Sequence, residues 1–295
     1  MEEYSPAKLH VLDCSALNDL VEPGAAVARH RVLEEVKAGR LLVPVTHPLL
    51  WEMVPTRALD DAKYRRLSDL AGRLSREYWQ FDLWQRRVLE LRVRRALTLR
   101  EVLNQNEVFL QVYDAPTVDQ AAAQYEGFAR GSAFAEAEKV QLSLDALDDL
   151  ARKHLGYEGH DPREAWHRPV KDANRSEKYA LSFAERFARG EIEMFARRLG
   201  IDARGIEPRA LPTFWSCALI HVARLRELLV ARQSPTSSKA PNQTDVIHLK
   251  EAAAYAEVFV TSDKRLRSFS KKVRELTCEV LSFGEWVTRI QTQSD

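Results

Sequence analysis

Short apolar runs alternate along this chain with stretches in which apolar residues recur every third or fourth position. A bounded apolar run of about four to eight residues reads as a buried strand, and the three-to-four spacing as an amphipathic helix. Strands are expected on this basis at 9–13, 41–45, 107–113, 258–261 and 278–282. Pro44 brings no N–H to the second of them, which points to an edge or strand-end position. Helices are expected from Gly24 to Ala38, where Val27, Val32 and Val36 recur before Gly39, and over 118–129. His47-Pro48 opens a short helical turn carrying Leu49, Leu50, Trp51, Glu52 and Met53. Leu67, Leu70, Leu74, Tyr78, Phe81, Trp84, Val88 and Leu91 form the longest stripe and are expected on one helix. Trp215, Ala218, Val222, Leu225 and Leu229 mark another.

The stretch NQTDVIHLKEAAAYAEVFVTSDKRL, Asn242 to Leu266, organises the rest. Asn242 or Thr244 can cap a helix whose first turn holds Asp245 and whose apolar side carries Leu249, Ala252 and Ala256. The apolar run Val258 to Val260 follows, and Asp263 comes just after it. Phe283 and Trp286 belong to a closing helix after the last strand.

Strands separated by helices, with no hairpin signal, imply an α/β fold: a three-layer, five-stranded parallel sheet with helices on both faces. The region 131–232 contributes no strand and reads as a large α-helical insertion or lid. The sheet domain is then built from 1–130 and 233–295, with the polar linker QSPTSSKAPNQ at the second junction.

The 295 residues are 45% apolar and 29% charged, the composition of a globular chain. A net charge of +1 supplies no global attraction for nucleic acid, so any such footprint is local. Between Lys63 and Arg100 eleven basic residues face four acidic ones, a solvated helix flank or a phosphate track. Lys264, Arg265, Arg267, Lys271, Lys272 and Arg274 form a second basic run after Asp263, with the same two readings. Cys14, Cys217 and Cys278 show no metal or disulfide spacing, which fits a reducing compartment. The acidic start MEEYSPAKLHV is not a secretory signal, and no apolar run is long enough to span a membrane, so a cytoplasmic protein is expected. His160 and His167 sit in a polar loop without an acid partner pattern and read as surface residues. The six tryptophans read as packing residues, since no ladder for base stacking is visible.

Four acids hold defined places: Asp13 ends the first strand, Glu52 lies in the turn after the second, Asp245 opens a helix and Asp263 follows a strand. Sites in α/β sheets form at strand carboxyl ends and helix starts. Carboxylates packed together repel unless a cation neutralises them. An all-oxygen donor set suits Mg²⁺ or Mn²⁺, which can activate water and stabilise charge on a phosphodiester oxygen. Each acid alone is equally well explained by helix capping or loop solvation.

The segments HVLDCSAL, LLVPVTHPLLWEMV, VFLQVYDAPTVDQAA and TDVIHLKEAAAYAEVFVTSDKRL, in that order, resemble the successive signatures of the PIN domain, a metal-dependent nuclease family related to flap and 5′ exonucleases. The resemblance covers about 1–130 and 240–290 and implies an endonuclease acting on phosphodiester bonds, with single-stranded RNA favoured. It implies that Asp13, Glu52, Asp245 and Asp263 form the active site, that Asp13, Asp245 and Asp263 ligate one or two Mg²⁺ or Mn²⁺ ions, and that Glu52 orients water. Ser15 and Thr261 match assisting positions, and Lys264, Arg265 and Arg267 would meet the nucleic-acid backbone. Family members often dimerise, and partner proteins inhibit many small PIN toxins, so both kinds of partner are open expectations. The stretch 131–232 departs from those small toxins.

Three rivals stand beside this reading. A haloacid-dehalogenase-type enzyme usually needs a second acid two positions after the first, where this chain has Ser15. A PIN-like module that binds or regulates without cleaving would bind little divalent metal at the acids. A DNA-directed flap or structure nuclease would carry further acids and a DNA-binding helical element that the sequence does not display.

Overall fold

A computed structural model describes residues 8–46, 48–50, 52–53, 59–75, 78–79, 173–198, 202–233 and 243–292. The expected strand 107–113, the expected helix 118–129 and the loop holding His160 and His167 lie outside the described residues.

The first strand, β1 (Lys8–Leu12), runs straight into helix α1 (Cys14–Val21), with Asp13 as the residue between. Asp13 accepts a hydrogen bond from the backbone N–H of Ala16 and so caps α1. Ala16, Leu17 and Leu20 then repeat at helical spacing and are buried. Arg29 ends the helix by donating to the carbonyls of Leu20 and Val21, which have no intrahelical partner to spare. Helix α2 (Ala26–Lys37) buries Ala28, Val32 and Val36 and stops at Gly39, whose φ of 73° suits a residue without Cβ.

The expected strand 41–45 is two strands, β2 (Leu41–Leu42) and β3 (Val45–Thr46). Val43 and Pro44 separate them, and Pro44 cannot donate to a ladder. Residues 48–50 and 52–53 are helical, as expected. The long stripe beginning at Leu67 is a correction to the expected single helix. Helix α3 (Asp61–Leu74) stops at Ser75, and Tyr78–Trp79 form strand β4, paired in parallel with β3. The hydroxyl of Ser75 accepts from the N–H of Val45 at 3.0 Å, and aromatic residues suit a strand once such a partner is present.

Helices α4 (Ala173–Arg198), α5 (Pro212–Gln233) and α6 (Gln243–Tyr255) lead to strand β5 (Val258–Val260). Helix α7 (Lys264–Ser270), strand β6 (Glu279–Leu281) and helix α8 (Phe283–Thr292) complete the described chain. The principal sheet has the order β2-β1-β5-β6. All of its pairs are parallel. Among the described residues it has four strands, so the fold is α/β and mainly helical, and a fifth strand in this sheet is not seen.

Alternation along the strands divides the interior. Leu12, Val258 and Val260 pack with residues of α1, α2, α3 and α8 on one side. Leu9, Val11 and Phe259 pack with residues of α4, α5, α6 and α7 on the other. The described helices of the stretch 131–232 therefore share a core with the central strands β1 and β5. Covering both faces explains why these strands read as unbroken apolar runs. Among the described residues, no helix is long and apolar enough to cross a membrane.

Candidate active site at the strand carboxyl ends

Parallel pairing brings the ends of β1 and β5 side by side. Leu12 is in register with Val260, and the N–H of Asp13 donates to the carbonyl of Val260 at 3.1 Å. Asp13 and Thr261, the first residues beyond the two strands, therefore meet although 248 positions separate them. The Thr261 hydroxyl donates to Oδ2 of Asp13 and accepts the N–H of Asp263 at 3.0 Å. Ser15 does the same on the other oxygen: its hydroxyl donates to Oδ1 of Asp13 at 2.7 Å and accepts the N–H of Ser262 at 2.9 Å. Two hydroxyls thus link the two oxygens of one carboxylate to two successive N–H groups of the turn after β5. The Ser262 hydroxyl donates onward to Asp19 on α1.

Asp13 is only 4% exposed. Burial pushes its carboxyl above the ordinary range, against the nearby charge of His248, the Thr261 and Ser15 hydroxyls and the Ala16 N–H. Both of its oxygens nevertheless accept hydrogen bonds, from Ser15 and Ala16 on one and Thr261 on the other. Asp263 is half-buried and caps α7, its Oδ1 accepting from the N–H groups of Arg265 and Leu266. The turn hydroxyls hold its backbone to Asp13, while its carboxylate is turned toward its own helix.

Glu52 stands on the short helical segment between the fully buried Leu50 and Met53. Its carboxylate meets Nε2 of His248 at 3.1 Å and also accepts the backbone N–H of Cys14. Asp13 and Glu52 therefore both bind N–H groups at the start of α1, where the helix end favours negative charge. Burial would raise the Glu52 carboxyl, but the charge and hydrogen bond of His248 and the Cys14 N–H together hold it below the ordinary value. His248 is fully buried, and burial alone would favour its neutral form. The charge and hydrogen bond of Glu52, with the charges of Asp13 and Glu251, outweigh that and hold it above 6.5. Asp245 lies in the first turn of α6, one helical turn before His248, and is half-buried.

The expected acids thus divide into two neighbouring groups, Asp13 with the Thr261–Asp263 turn and Glu52 with His248. Donor chemistry fits Mg²⁺ or Mn²⁺, since all four acids offer hard oxygens. Among the described residues, no three His, Cys, Asp or Glu side chains form a group that could hold a metal ion. Cys14 is no nucleophile here: burial and the charges of Glu52 and Asp13 push its thiol up to about 12. Lys264 and Arg265 are exposed at the start of α7, and Arg267 is half-buried on the same helix. Lys271 and Arg274 are exposed beyond it, while Lys272 pairs with Glu227 at 2.6 Å.

Sequence reasoning passed over helix α1, His248, Ser262 and Asp19. Asp13 followed by Ala16, Leu17 and Leu20 is a capping signal for α1. His248 left only a faint mark, a histidine within the apolar residues of α6. No family model matches the chain, and neither a curated protein nor a solved structure does.

Proposed function

We propose that this chain is a divalent-metal-dependent endonuclease that hydrolyses phosphodiester bonds, with single-stranded RNA as its substrate class. The observation that carries this reading is the joining of Asp13 to the Thr261–Asp263 turn through the hydroxyls of Ser15 and Thr261. It sets a buried carboxylate at the carboxyl ends of two central parallel strands, beside a basic helix. The PIN-domain resemblance assigns its acids to these positions. On this reading Asp13, Asp245 and Asp263, which do not form a metal-holding group in the described geometry, would have to close on Mg²⁺ or Mn²⁺ as it binds. Such an ion, when bound, supplies charge stabilisation at the phosphoryl oxygens and a lowered pKa for water.

The chain's own residues do the rest. Ser15 and Thr261 hold the Asp13 carboxylate in one orientation through both of its oxygens. Glu52, kept ionised by His248, orients the attacking water through its acceptor oxygens. Lys264 and Arg265 meet the phosphates flanking the scissile bond as exposed cations. The test is cleavage of pooled single-stranded RNA by wild type and by Asp13→Asn, each with and without EDTA. Cleavage by wild type alone, and only without EDTA, is expected. EDTA-resistant cleavage would remove the metal from the reading.

A second reading, a PIN-like module that binds without cleaving, draws on the same network. Both oxygens of Asp13 already have protein partners, and Glu52 is already paired with His248. A Mn²⁺ titration separates the two, since the binding module would show little affinity at the acids.

A further inference from the structure

We propose that His248 is a positioning residue of this site, a buried clamp that fixes the Glu52 carboxylate beside Asp13. The inference rests on the nuclease reading for its catalytic part and on geometry for the clamp itself. Glu52 comes from a short helical segment, and its nearest fixed anchor in that segment is apolar, through Leu50 and Met53. Two polar contacts aim its carboxylate inward: the backbone N–H of Cys14 and Nε2 of His248, which is 196 positions away in the chain.

His248 has no surface of its own with which to reach a substrate, being 0% exposed. It therefore acts through Glu52. Its ring stacks on Phe259 of the central strand β5, with centroids 6.4 Å apart and planes 26° from parallel. The ring is enclosed by protein, with Nε2 directed at Glu52. The other ring nitrogen, Nδ1, is buried and has no hydrogen-bond partner among the described residues. A half-satisfied buried imidazole costs stability compared with an apolar side chain of similar volume. The bond from Nε2 to the Glu52 carboxylate offsets that cost, and the same bond fixes where the carboxylate points. The Asp13 charge also acts on His248, so the ring faces both acids at the start of α1.

The experiment compares wild type, His248→Leu and His248→Gln in full-length protein. Steady-state cleavage of single-stranded RNA is measured with Mn²⁺, and the Glu52 carboxyl is titrated by ¹³C NMR. The leucine variant is expected to fold, to lose at least tenfold in kcat with KM for RNA unchanged, and to show Glu52 titrating at higher pH than in wild type. Glutamine, which can still donate toward Glu52, is expected to restore most of the kcat. A Glu52 titration that His248→Leu leaves unmoved overturns the clamp. If the leucine variant does not fold, a glutamine variant that loses kcat although Glu52 titrates as in wild type overturns the positioning role. Unchanged kcat in His248→Leu, with Glu52 shifted, overturns the positioning role. Wild type that never cleaves RNA with Mn²⁺ overturns the nuclease reading and the catalytic part of this proposal together, and the NMR titration still decides the clamp.

Discussion

The indole N–H of Trp286 donates to Nδ1 of His10 across 2.9 Å. An indole N–H can only donate, so Nδ1 must be the unprotonated nitrogen of a neutral imidazole. Protonation would set two donors face to face in the interior. Burial, reinforced by the charges of Lys8 and Arg289, lowers the His10 pKa to about 3. Helix α8 is thereby fastened to the central strand by a bond that exists only in the neutral form.

A consequence for acid stability follows from the sign of that shift. Unfolded His10 takes up a proton near 6.5, while the folded ring resists until about 3. Between those values the unfolded state binds more protons, so stability falls as pH falls through that window. Wild type should lose up to about 1 kcal/mol per pH unit more than His10→Gln over this range. Urea denaturation at a series of pH values checks this, and parallel profiles for the two proteins would refute it.

Thr261 bridges Asp13 and the N–H of Asp263 through one hydroxyl. Thr261→Val keeps the shape, removes the bridge and leaves a buried carboxylate oxygen and a backbone N–H without it. A loss of about 1–3 kcal/mol in unfolding free energy is expected. RNA cleavage should fall with it, because Asp13 then loses its fixed orientation. Chemical denaturation and a cleavage assay on the same preparation measure both.

Asp263 caps α7, and the proposed metal-ligand role can be separated from that cap by substitution. Asn remains a good helix N-cap, so Asp263→Asn should leave stability within about 0.5 kcal/mol of wild type while abolishing cleavage. Asp263→Ala should abolish cleavage and also lose about 1 kcal/mol, because the N–H groups of Arg265 and Leu266 lose their acceptor. Full activity in the asparagine variant would take Asp263 out of the chemistry.

Metal binding should register without any substrate. An ion that binds only the folded state at about a hundred times its dissociation constant stabilises by about 2.7 kcal/mol. Mn²⁺ should therefore raise the thermal midpoint of wild type, EDTA should reverse the rise, and Asp13→Asn should show little of it. Equal rises in both proteins would place the ion elsewhere.

The strands before Asp13 and Asp263 were legible because local signals suffice there, while helix α1 after Asp13 was not read. A buried parallel strand reads as an apolar run, and an acid just after it is visible in the letters alone, as in KLHVLD and VFVTSD. Asp245 was equally readable as the first-turn acid of a helix. The stripe from Leu67 was misleading beyond Leu74, because the spacing of Tyr78 said helix while pairing with β3 favoured strand. Local periodicity does not contain that competitor. The strand 41–45 broke at Pro44, a residue whose effect was anticipated in kind but not in extent.

By itself the sequence determined the alternation of buried strands and helices, the parallel character of the sheet, and where acids stand on those elements. These depend on neighbours within a turn or a strand, over which side-chain periodicity and capping act. Tertiary structure alone decided which groups meet: Thr261 with Asp13, Ser262 with Ser15 and Asp19, Trp286 with His10, and His248 with Glu52. Each partnership spans most of the chain and depends on strand register and helix rotation, which no local pattern encodes. The electrostatics follow the same division, because whether a carboxylate or an imidazole is shifted depends on what surrounds it after burial.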